Sequence, residues 1–131
     1  MKTVSPELDS VIHEIACVDL GQDQPVFESD PVMSQFKKSG TELWLDTGDL
    51  EKAQSIWKSE FTALTTNNTL ANQVVQTGVM DDVIGEVVSR LKAVASDLTV
   101  DERVTEVGFV INCRIALRLA QAFKTKVSIE L

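Results

Sequence analysis

Residues 42–70 read ELWLDTGDLEKAQSIWKSEFTALTTNNTL, and the fold turns on how that stretch is parsed. It holds two short apolar runs, residues 43–45 and 61–65, each expected to be a strand, with a helix between them. Asp49 is placed to cap that helix, and Leu50, Ala53 and Trp57 then form its buried stripe. Strand, helix and strand in succession indicate βαβ units and a parallel sheet. Each strand runs directly into polar residues, Asp46 after the first and Thr66 and Asn67 after the second. In parallel α/β folds chemistry collects at the C-terminal ends of strands, because the loops that follow lie on one face. Residues 126–131, KVSIEL, read as a third such strand, ending in Glu130. A carboxylate, an amide and a second carboxylate are therefore expected to converge.

Each of these positions also has a local explanation. Thr47 and Asp49 make a turn and a cap, which accounts fully for Asp49. It accounts less well for Asp46, which follows three apolar residues and is expected to be partly buried with no local need for charge. Thr65-Thr66-Asn67 taken alone is a polar turn. Only the recurrence at three successive strand ends raises the group above its parts.

The regions on either side supply the covering helices. Ser5-Pro6-Glu7 is a helix start with a capping hydroxyl, a proline at the first helical position and acids in the first turn. Leu8, Val11, Ile12 and Ile15 continue it at helical spacing, with an end expected by Gly21; His13, beside Glu14, falls on the polar side. Residues 22–40, broken by Pro25, Pro31, Ser29 and Ser34, read as an irregular connection that lays Val26, Phe27, Met33 and Phe36 on a neighbouring surface. Beyond the second strand a short helix is expected over residues 70–76, ending at Gly78. Another starts at Asp81 or Asp82, with Val83, Val87, Leu91 and Val94 on one face. Thr99-Val100-Asp101-Glu102 is a capping box for a last, strongly apolar helix. Its stripe is Val104, Val107, Val110, Ile111, Ile115, Leu119 and Phe123, and Gly108 is expected to allow a close approach to the sheet.

The 131 residues suffice for one domain with a real core. The net charge of −8 is evenly spread: residues 1–40 carry seven acids and three bases, and residues 41–131 carry thirteen and nine. No basic cluster favours nucleic acid or an anionic membrane, so neither partner is expected. The N-terminus has no apolar core of a signal peptide, and no run approaches the ~20 apolar residues of a membrane span. A cytoplasmic location is the expectation. Cys17 and Cys113 lie 96 positions apart, with no Cys or His at metal-ligand spacing, and read as buried, reduced thiols. Phosphate-binding, dinucleotide, zinc-protease and serine-hydrolase motifs are absent.

LDTGDL at 45–50, TTNNTL at 65–70 and VSIEL at 127–131, in that order and with 21 residues from Asp46 to Asn67, resemble the opening of transaldolase. That family carries an Asp ending its first barrel strand, TTNP(S/T)L ending its second and a glutamate ending its third. The resemblance implies a (β/α)8 TIM barrel, of which residues 41–131 would be the first three βα units and residues 1–40 an N-terminal helix with its connection. It further implies transfer of a dihydroxyacetone unit between sugar phosphates, a step of the pentose phosphate pathway, through a lysine Schiff base with no metal or organic cofactor. By resemblance Asp46 would be the acid/base at the hydroxyl whose deprotonation breaks the C–C bond. Asn67, with Thr66, would bind the donor sugar, and Glu130 would activate a water as the carbinolamine forms and breaks. A homo-oligomer is compatible with this reading.

The chain departs from the family in two places. Asn68 stands where the family has proline, so that loop lacks a fixed φ. The Schiff-base lysine ends the fourth strand in the family, beyond Leu131, and Lys124 and Lys126 precede the third strand at its wrong end. The chain is therefore expected to represent an incomplete barrel. A related sugar-phosphate aldolase, or a catalytically silent α/β binding protein, are the competing readings.

Overall fold

The computed structural model describes residues 5–17 and 25–130. Along the chain run α1 (Pro6–Ala16), α2 (Pro31–Lys38), β1 (Leu43–Asp46), α3 (Leu50–Ile56), β2 (Phe61–Thr66), α4 (Asn68–Gln76), α5 (Asp81–Val94), α6 (Val100–Phe123) and β3 (Lys126–Ile129). The three strands form one parallel sheet in the order β1-β2-β3. Asp46 pairs with Thr65, and Thr66 with Ile129, so the three C-terminal ends lie level. This is the α/β architecture expected from alternating strands and helices.

One face of the sheet meets the helices. Leu64 and Leu119 are fully buried there with Ala53, Met80, Ile115 and Phe123, and Leu45 and Val127 pack against the same cluster. On the opposite face Trp44 is 54% exposed, and Asp46, Lys126 and Ser128 are exposed with it. A second cluster joins Leu8, Val11 and Ile15 of α1 to Val87 and Leu91 of α5 and Val110 of α6. Polar ties reinforce it: Arg90 reaches Glu14 at 2.6 Å, and Arg114 donates to the Ile15 carbonyl at 2.6 Å. The latter gives a partner to a carbonyl in the last turn of α1, where the helix itself supplies no donor.

Several helix starts follow the sequence closely. Ser5 caps α1, Asp49 caps α3, and Thr99 with Glu102 forms the full capping box of α6. Others do not. The connection over residues 22–40 contains a helix, α2, because Asp30 accepts from the amides of Val32 and Met33 and Pro31 occupies the first helical position. Pro31 starts structure here; it does not break it. Of the four residues expected to lie down from this connection, Phe27 packs into the core, whereas Val26 is 96% and Phe36 52% exposed. α1 stops at Ala16, with Cys17 as its C-cap, in keeping with an end by Gly21. Cys17 is exposed and Cys113 half-buried, both free, which corrects the reading of two buried thiols. Val104 is 65% exposed, off the buried stripe of α6. No atom lies within 4 Å of a Cβ built on Gly108, so this glycine does not serve a close helix–sheet approach.

Gly48 does serve one. A Cβ there would stand 3.1 Å from Thr66 Oγ1, 3.3 Å from the Leu70 carbonyl oxygen and 3.3 Å from Val74 Cγ2. The loop after β1 is thus pressed against the first turns of α4, with backbone as well as side chains in the way of a larger residue. Gly48→Ala should destabilise the fold by about 1–3 kcal/mol. Urea unfolding checks this as a lower midpoint at unchanged slope; an unchanged midpoint would mean the loop relaxes freely.

Among the described residues no helix is long and apolar enough to cross a membrane.

Candidate functional site

The three strand ends deliver Asp46, Asn67 and Glu130 to one open cleft of about 460 Å³, completed by Asn68, Thr69 and Leu70. Asp46 closes β1 and is exposed, not partly buried as its apolar predecessors suggest; the sheet face it occupies has no helix over it. Its Oδ1 accepts from Thr65 Oγ1 at 2.8 Å, the residue directly across in the register. That bond orients one carboxylate oxygen and leaves the other for a ligand. Glu130 follows β3, its amide donating to the Thr66 carbonyl at 3.2 Å, with its side chain exposed.

Asn67 carries a role the sequence reading did not assign. It is the N-cap of α4: its Oδ1 accepts from the Leu70 amide at 3.0 Å, with φ −145° and ψ 175°. This bond uses the acceptor of the amide and fixes the side chain, so Nδ2 remains as the group available to donate into the cleft. The first turn of α4 lines the cleft, and its partial positive charge opposes the two carboxylates.

Thr66 is placed differently from its expected part in binding. It is 3% exposed on the helix side of the sheet, next to Gly48, and its Oγ1 has no partner. The hydroxyl on the cleft side belongs to Thr65. Alternation explains this: successive strand side chains point to opposite faces, so only one of the two adjacent threonines can face the cleft.

The cleft holds no cation among its lining residues. Lys52, on α3, lines the neighbouring cavity of about 270 Å³ that also reaches Asp46, but its charge lies beside Asp49 at 4.0 Å. Lys126 begins β3, four residues from Glu130, hence about 13 Å along the strand at ~3.3 Å per residue. The cleft thus brings together two carboxylates and two side-chain amides, with no lysine among the residues that line it. No group of His, Cys, Asp and Glu suited to a metal ion occurs among the described residues.

Two residues outside the sequence reading shape this region. Asn112, a half-buried residue beside the apolar stripe of α6, reaches the cleft rim through Asn68. The sequence pattern did not single it out, because position 112 falls between two stripe positions where a polar residue is ordinary. Glu60, at the opposite end of β2, is 4% exposed and accepts from Ser29 Oγ, from Ser34 Oγ at 2.7 Å and from the Asp30 amide at 3.1 Å. It fastens the segment leading into α2 across the N-terminal end of the sheet, where Phe27 packs on Trp57 and Phe123. The Ser29 and Ser34 hydroxyls, against the cost of burial, hold its carboxyl at about 2, below the ordinary 4.5. A depressed folded-state value means the stabilisation is full above pH 4.5 and is lost as pH falls toward 2. Urea midpoints of wild type and Glu60→Gln should therefore differ most above that window and converge below it. A constant difference across the range would remove the carboxylate from the account.

No protein-family model matches the chain, and no curated protein matches it.

Proposed function

We propose that this chain forms the opening of a (β/α)8 barrel of the transaldolase type, which transfers a dihydroxyacetone unit between sugar phosphates through a lysine imine. The observation that carries the reading is the arrival of Asp46, Asn67 and Glu130, from three adjacent parallel strands, at a single cleft on the C-terminal side of the sheet. The exposed opposite face, with Trp44, Asp46 and Ser128, is the one a closing barrel would turn inward.

The chemistry suits these groups. With the ketose bound as a lysine imine, removing a proton from the hydroxyl beside the scissile bond lets that bond break. The aldehyde departs, and the electron pair moves into the protonated imine to give an enamine. Asp46 takes this proton and returns it to the acceptor sugar's new hydroxyl. Nδ2 of Asn67 donates to a hydroxyl of the bound donor. Glu130 activates water where the carbinolamine forms and collapses. The lysine and the phosphate grip come from outside the described cleft.

The test is to incubate the natural polypeptide that carries this sequence with fructose 6-phosphate and borohydride, then measure intact mass. A stable sugar adduct on one lysine is expected. Sugar-phosphate binding without an adduct would instead favour the silent binding protein, a reading that the lack of a lysine in the cleft supports. An adduct with cleavage but no transfer to an acceptor aldehyde would mark the related aldolase.

A further inference from the structure

We infer that Asn112 is a positioning residue for the cleft: its amide holds the Asn67–Asn68 corner that forms one wall. This rests on the sugar-phosphate reading for its consequence, though not for its geometry. Asn112 lies midway along α6, on the side that packs against α4 through Ile111, Ile115, Ala71 and Val74. Its Nδ2 donates to the Gly108 carbonyl at 2.9 Å and to Asn68 Oδ1 at 3.3 Å. The bond within the helix aims the amide, and the bond to Asn68 uses that aim. Oδ1 of Asn112 is buried without a partner. A buried polar atom left unsatisfied costs stability. The cost of that atom stands against a donor used twice, within α6 and across to α4.

The recipient explains it. Asn68 is the first residue of α4, directly after the N-cap Asn67. The N–H of a first helical residue has no partner within the helix, and proline with its fixed φ is the residue best suited there. Asparagine leaves φ free and favours non-helical local bonding. The Asn112 contact engages the side-chain oxygen that would otherwise compete for local backbone groups. Asn67 then keeps its bond to the Leu70 amide and its place in the cleft lining.

The experiment uses two variants, Asn112→Asp, which keeps the shape and removes the donor, and Asn112→Ala, which avoids a buried carboxylate. Hydrogen exchange of the Leu70 amide reports the corner directly. It should speed up about fivefold in either variant, as expected for loss of one hydrogen bond, while amides of β2 and of α6 around Leu119 stay protected. Adding Asn68→Pro to the Asn112→Ala background should restore slow exchange, because the ring fixes φ without help from α6. A general loss of stability would expose every amide alike and would not be rescued at one position. Unchanged Leu70 exchange in both variants overturns the inference. Affinity for fructose 6-phosphate in the natural polypeptide should weaken in step with exchange and recover with it. Faster exchange with no change in affinity leaves the positioning role standing and counts against the sugar-phosphate reading.

Discussion

Replacing Asp46 by alanine in the natural polypeptide should lower turnover by ~10²–10⁴-fold, the range typical of a lost general acid–base group, while donor affinity changes little. The argument is geometric. Asp46 ends its strand exposed in the cleft, with one oxygen held by Thr65 and the other open to a ligand. Nothing else depends on it, since its carboxylate caps no helix and forms no ion pair among the described residues. A fall in kcat and kcat/KM together identifies an interaction made in the transition state. A raised KM with normal kcat would assign Asp46 to binding. Thr65→Val, which removes only the orienting hydroxyl, should give a smaller loss in the same direction.

Residues 1–131 taken alone should show no transaldolase activity and should self-associate. β1 and β3 are each paired on one side, and the unpaired groups on the other side can pair with a second chain. The sheet face away from the helices exposes Trp44, and no lysine lies in the cleft to form an imine. Association is expected without loss of helix, because the opposite face carries a complete core around Leu64 and Leu119. Sedimentation should therefore show growth in mass with concentration while the helical signal is retained. Borohydride with fructose 6-phosphate should leave the mass unchanged. A monomer that labels at Lys126 would contradict both expectations.

What the sequence conveyed, and what it hid, follows from range. The helix caps at Ser5, Asp49 and Thr99 depend on residues within one turn, and each appeared where the local pattern placed it. The three strand ends were readable because apolar runs stop abruptly at polar residues, and a parallel sheet brings such stops to one side. Thr66 could not be separated from Thr65 without the register, which decides which face each side chain takes. The roles of Glu60 and Asn112 depend on partners 26 to 44 positions away in the chain. Pro31 reads as a break only when it is weighed without Asp30, which caps the helix that Pro31 starts. The exposure of Cys17 depends on where α1 ends.

On the proposed reading, Asp46 moves the proton that breaks the carbon–carbon bond of a lysine-bound sugar phosphate in this cleft. The most direct measurement is the mass of the borohydride-trapped adduct formed from fructose 6-phosphate by wild type and by Asp46→Ala. Wild type should hold the three-carbon dihydroxyacetone unit left after cleavage. The variant should form the imine but fail to cleave, and so should hold the entire six-carbon phosphate. A three-carbon adduct on the variant, or no adduct on either protein, would contradict the account.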